Sequence, residues 1–177
     1  MRAGQQMVDE HGNQVALFPL EYLYVSQGEN GSYSHQGILA IDFLGWGPTG
    51  RILKCPYFAP FDCKVVYHGS YYNVWESLAP VVTPQGLQYV TFEVAHDDNP
   101  PPLNTTANQG DLIGYTGTNG HVTGWHISSF KIVWTRWNSY QVMLETIPSQ
   151  AKKLEGVTTI PKGSTLKWVE VHDIIID

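Results

Sequence analysis

The stretch LQYVTFEVAH, residues 87–96, alternates apolar and polar side chains with the two-residue period of a half-buried β-strand, and it ends on a histidine. Its neighbours point the same way. Downstream, DDNPPPLNTTANQG (97–110) reads as a loop, because three consecutive prolines remove backbone donors and disfavour both helix and ladder. DLIGYTG (111–117) and WHISSFKIVWT (125–135) then supply two further strands, separated by the Gly-rich TGTNGHVTG (116–124). Upstream, YNVWESLAPVVTPQG (72–86) reads as a short strand and a turn. RILKCPYFAPFDCKVVYHG (51–69) reads as two strands around Pro60, and GILAIDFLG (37–45) as a strand before the loop GWGPTG (45–50). VALFPLEYLYVSQG (15–28) is a strand or extended segment. From about Asn138 the pattern suggests a short helix, SQAKKLEG (149–156), and a last apolar pair, TTIPKG and TLKWVEVHDIII. The expectation is an all-β fold with a short helix near the C-terminus.

Composition agrees with this. Of 177 residues, 42% are hydrophobic and 15% charged, which suits a domain able to bury its own core. The 12% aromatic content, 17 glycines and 11 prolines favour strands and turns over helical bundles. A net charge of -6, with only 10 Lys and Arg, argues against a nucleic-acid partner, whose phosphates need clustered cations. No membrane partner is expected either, since no apolar run approaches the ~20 residues that span a bilayer. MRAGQQMVDEHGNQ lacks the apolar core of a secretory signal, so no self-directed export is expected. Cys55 and Cys63 do not form a metal-knuckle pair; they read as two core thiols, with a disulfide as second reading if their flanking segments form a hairpin.

Seven histidines in an acidic chain invite a metal or acid/base interpretation, although for any one of them a structural role is the default. His11, His68 and His172 read as structural. The other four lie beside glycine-rich turns or at strand ends, where functional groups concentrate. His35 and Asp42 flank GILAI, His96 closes its strand, and His121 and His126 bracket VTGW. Imidazole and carboxylate are good zinc donors, and a further imidazole serves as base or charge stabiliser.

Three segments together resemble the lysostaphin/LytM-type zinc endopeptidases that cut the peptide bridges of bacterial cell walls. SHQGILAIDF (34–43) resembles the family's His…Asp metal element in a longer-spaced form. APFDCKVVYHG (59–69) resembles the strand that follows it. AHDDNPPPLNTTANQGDLIGYTGTNGHVTGWHIS (95–128) resembles the loop histidine, the Gly-Asp-x-Ile-Gly turn and the closing His-x-His strand. The resemblance covers about residues 20 to 135. It implies an antiparallel sheet with a groove, a peptidase-like domain over 1–149, and residues 150–177 as an extension or the last strands of the same domain.

Carried over by position, the resemblance makes His35 and Asp42 zinc ligands, His96 the transition-state histidine and His126 the residue that orients or deprotonates water. The third ligand position falls on Ser128. Alternation from His126 places Ser128 with Phe130, Ile132 and Trp134 on one strand face, where a ligand would point. A serine hydroxyl is a weak zinc donor, so two good ligands stand where catalytic zinc usually has three. His121 is a candidate substitute, ranked behind a solvated turn role, and Asp97 or Asp98 ranks lower still because Asp-Asp before Asn-Pro is ordinary turn chemistry. Strict alternation also sets residues 35 and 42 on opposite faces unless the chain bends near Gly37. Trp125 and Tyr115, with Tyr71 and Tyr72, are read as core or turn packing, with a substrate groove wall as the functional counterpart.

The resemblance thus implies a zinc endopeptidase acting on peptidoglycan peptides, phage-encoded and either lytic or associated with other virion proteins. It would reside in the virion or in the host cytoplasm before lysis. A catalytically impaired wall-binding or structural module is the competing reading.

Overall fold

In the computed structural model, residues 1–27, 41–83, 86–120, 129–136, 139–142 and 165–167 are described. All regular elements among them are strands: β1 Tyr22–Gln27, β2 Ile41–Gly47, β3 Gly50–Ile52, β4 Pro56–Phe58, β5 Cys63–His68, β6 Tyr72–Ser77 and β7 Val81–Thr83. They continue with β8 Gly86–Gln88, β9 Thr91–Ala95, β10 Thr106–Ala107, β11 Leu112–Tyr115, β12 Ser129–Arg136, β13 Ser139–Val142 and β14 Thr165–Lys167. The expected all-β fold is what the chain adopts. Its ten-stranded sheet runs β10-β5-β6-β9-β12-β2-β1-β14, with β13 beside β12 and β3 beside β2, while β4-β11 and β7-β8 form separate pairs. Among the described residues the pairings between these strands are antiparallel, and an isolated parallel bridge joins Val15 to Val82.

Some boundaries differ from the pattern reading. LQYVTFEVAH is two strands, since Tyr89 and Val90 separate β8, which pairs with β7, from β9, which pairs with β6 and β12. The Pro-rich loop contains β10, a two-residue addition to β5 at Lys64 and Cys63. β4 and β5 do flank Pro60, yet β4 pairs with β11 and not with β5. The hairpin a disulfide would need is therefore absent, and both cysteines are free and buried. Burial pushes the Cys55 thiol up to about 11 and the Cys63 thiol further. Neither is a thiolate near neutral pH, so a thiol reagent should label the native chain negligibly and both cysteines after denaturation. SQAKKLEG and TTIPKG lie outside the described residues, whereas Thr165–Lys167 of the tail pairs with β1.

One face of β5, β6 and β9 carries the core. Val65, Trp75, Phe92 and Cys63 are essentially inaccessible, as are Tyr57, Phe61, Leu17 and Leu20 packed over them. Trp75 and Phe92 face each other across β6 and β9 with stacked rings 5.9 Å apart, and Phe61 meets Phe92 edge-on at 5.6 Å. Such pairs add to the area they bury.

A buried glutamine ties the N-terminal segment over this core. Gln109 Nε2 donates to the Val15 and Pro60 carbonyls (2.6 and 2.8 Å), its Oε1 accepts from Met7 N (2.8 Å), and its backbone N–H donates to Asp62 (2.8 Å). Gln109→Ala removes three hydrogen bonds to backbone groups, of which the Pro60 carbonyl keeps Leu17 N as a donor, so thermal or denaturant melting should show a loss of about 1–3 kcal/mol.

Candidate functional site

The sheet order decides which candidate residues meet. β9 pairs with β12 through Val94↔Phe130, and β12 pairs with β2 through Phe130↔Ile41 and Ser129↔Asp42. Ala95, Ser129 and Asp42 therefore lie in consecutive positions at one end of three neighbouring strands, spaced by the ~4.8 Å between strands. His96 follows Ala95 directly, and Ser128 directly precedes Ser129. The backbone thus brings the sequence-predicted Asp42, His96 and the start of the last motif strand to one end of the sheet, although they are far apart in sequence. His35, His121, Trp125, His126 and Ser128 lie outside the described residues. Asp42's backbone partner on β12 is Ser129, one residue past the expected ligand position.

His96 is the best-defined member. Its φ of 70° places a non-glycine residue in the left-handed region, which costs roughly 1–2 kcal/mol and persists only where the surroundings enforce it. Here they do. The His96 N–H donates to the Tyr71 carbonyl (2.7 Å), and its own carbonyl accepts from Asn119 N (3.3 Å). Its ring Nδ1 lies 2.6 Å from the Asn119 carbonyl. A carbonyl only accepts, so Nδ1 carries the proton and neutral His96 keeps its lone pair on Nε2. Tyr71 stacks on the ring at 6.2 Å and 15°. Asn119 is itself held by its side-chain Nδ2, which donates to the Ser70 carbonyl (2.7 Å). The Gly117–Gly120 turn, the 69–71 turn and His96 thus brace one another.

Of Asp97 and Asp98, considered above as oxygen ligands, Asp97 has donors on both carboxylate oxygens and Asp98 on one. Asp97 is 4% exposed; Tyr57 Oη donates to its Oδ2 (2.5 Å), Tyr115 N to the same oxygen (3.3 Å) and Asn99 N to its Oδ1 (2.8 Å). Asp98 accepts from Thr118 N (2.7 Å). A cation on Asp97 would have to compete with these donors, whereas both donors to Asp98 fall on Oδ1 of an exposed side chain. Among the described residues, no three His, Cys, Asp or Glu side chains converge as a metal site. His68 is structural as expected, its Nδ1 shared between Asn73 Oδ1 (3.0 Å) and the Pro101 carbonyl (2.9 Å).

Tyr115 is half exposed, and its N–H sits on the Asp97 carboxylate, which places its backbone beside the His96 turn. Tyr71, Tyr72 and Tyr67 form a run of ring contacts leading to His96, with centroids 5.3 and 5.0 Å apart along it. Asn119 and Tyr57 escaped sequence reasoning. Nothing in their local pattern marks an Asn between Thr and Gly as the partner of His96 Nδ1, or a Tyr after Pro as the donor to Asp97.

No protein-family model matches the chain. Among solved structures it resembles a zinc-containing peptidase from Vibrio cholerae, with a TM-score of 0.49 and 17% identity over 78% of this chain and 45% of that one. It is 39% identical over 120 residues to Morphogenesis protein 1 of Bacillus phage B103, an alignment covering 66% of this chain. The same alignment covers 32% of that protein, so the chain spans about a third of its phage relative's length.

Proposed function

We propose that the chain is a phage peptidase domain of the lysostaphin/LytM type, directed at peptide cross-bridges of bacterial peptidoglycan and acting as a lytic or virion-associated protein. The observation that carries this is the convergence of Asp42, the β12 start and His96 at one end of the sheet. Its phage relative supports the virion setting.

In this reading His35 and Asp42 hold zinc. Ser128 in the third position leaves the set one strong donor short of the usual three. When bound, zinc supplies Lewis acidity and an acidified water. The chain's own residues supply the rest. With Nδ1–H engaged by Asn119, His96 offers Nε2, which accepts a proton when neutral and donates one to a developing oxyanion when protonated. His126 orients the attacking water, and Trp125 and Tyr115 wall the peptide.

Ser128 is also the specific feature favouring a second reading, in which the domain binds walls or other virion proteins without cleaving. One experiment separates them. Protein purified without chelator should carry close to one zinc per chain and release new amino termini from Gram-positive walls, with His126→Ala abolishing release. Metal-free protein that binds walls and releases nothing overturns the peptidase reading and establishes the second.

A further inference from the structure

The chain of contacts behind His96 ends in a buried pair that neither the zinc set nor the water-activating histidine uses. Tyr57 is 1% exposed on β4, Asp97 is 4% exposed, and the Tyr57 hydroxyl donates to Asp97 Oδ2 at 2.5 Å. Two backbone donors, Asn99 N and Tyr115 N, complete the carboxylate's shell. Gly114 makes room for the pair: a Cβ there would lie 2.1 Å from Asp97 Oδ2 and 2.2 Å from Tyr57 Oη. Gly117 does the same one turn on, where a Cβ would lie 2.4 Å from the His96 carbonyl oxygen.

We infer that Tyr57 and Asp97 are positioning residues for His96: the buried Tyr57–Asp97 hydrogen bond pins the residue next to His96, holds its backbone at positive φ, and so keeps Nδ1 on Asn119 and Nε2 available. The reasoning is mechanical. A left-handed histidine relaxes to ordinary backbone unless both flanks are fixed. On its N-terminal side, β9 fixes Ala95 through pairing with Tyr72. On its C-terminal side, the residue that could turn freely is Asp97, and its carboxylate is tied at three points to β4, β11 and its own turn. Desolvation, reinforced by the Asp97 charge, pushes the Tyr57 phenol well above its usual range, so the hydroxyl remains a donor at any working pH. The holding of His96 stands on this geometry alone, whereas its consequence for hydrolysis rests on the peptidase reading.

The test is the imidazole of His96 in the full chain, followed by long-range 15N–1H NMR with His68 as internal reference. In the native chain His96 should show one tautomer, protonated at Nδ1. Tyr57→Phe keeps the ring in the core and removes the hydroxyl; Asp97→Asn keeps the shape and removes the charge. Both should convert His96 to a tautomer mixture while His68, held by Asn73 and Pro101, is unmoved. An unchanged His96 signature in folded Tyr57→Phe overturns the inference, as does an equal disturbance of His68, which would mark a general loosening. If Asp97→Asn does not fold, Tyr57→Phe decides alone. In the wall-cleavage assay, Tyr57→Phe should lower kcat by up to ~100-fold with KM little changed, the effect of losing alignment. A native chain that cleaves nothing, but whose His96 signature shifts in Tyr57→Phe, overturns the peptidase reading and supports the positioning role.

Discussion

Ser128→His should raise zinc affinity by more than ~100-fold, measured by competition with a chromogenic chelator. The magnitude follows from donor chemistry: groups that merely orient a ligand are worth 10- to 100-fold in metal affinity, and here a whole strong ligand is restored. The backbone adds a control. β12 sets Ser129, not Ser128, opposite Asp42, so Ser129→His should be measured in parallel. A gain confined to Ser128→His supports the ligand alignment taken from the His-x-His resemblance. A gain confined to Ser129→His moves the third ligand position one residue later. No gain in either variant sinks the assignment of His35 and Asp42 as a zinc pair. Should the native chain be the impaired module, Ser128→His is also the substitution expected to switch on cleavage.

Gly114→Ala should cost about 3–5 kcal/mol in denaturant unfolding, the sum of overpacking and of buried polar groups forced off their partners. A methyl at that position has nowhere to go. Its nearest neighbours are a carboxylate oxygen and a phenol oxygen already bonded to each other, and both belong to buried side chains. Gly12→Ala serves as comparison: nothing lies within 4 Å of a Cβ there, so its cost is limited to that of a positive φ. Equal losses in the two variants would show that the packing around Gly114 yields, and with it the rigidity ascribed to the turn.

Much of the fold was legible because it rests on local pattern. The period of two in residues 87–96 became β8 and β9, and the two strands read around Pro60 became β4 and β5, whereas the stretches read as loops at 45–50 and 97–110 carry strand residues of β2, β3 and β10. What the pattern could not carry was partnership. Nothing in PYF tells that β4 leaves β5 for β11, because pairing choice depends on the twist and packing of the whole sheet. The site divides in the same way. His96 was visible as a histidine closing a strand, and Asp42 as a carboxylate inside one. The support of His96 was not visible, because Asn119 acts through its backbone carbonyl and any residue type has one. Asp97 read as turn chemistry, and it does bond locally to Asn99 N; its reach to Tyr57, 40 residues upstream, is a tertiary fact.

The pairing of Asp42 with Ser129 has a consequence for how the protein comes into being. The two residues are 87 positions apart, and strands β3 to β11 lie between them. Loop closure of that length is entropically late, so the rows that hold the core can form while the end of the sheet that carries Asp42 is still open. A sheet built this way favours its core rows first and closes the end that carries Asp42 by a longer loop.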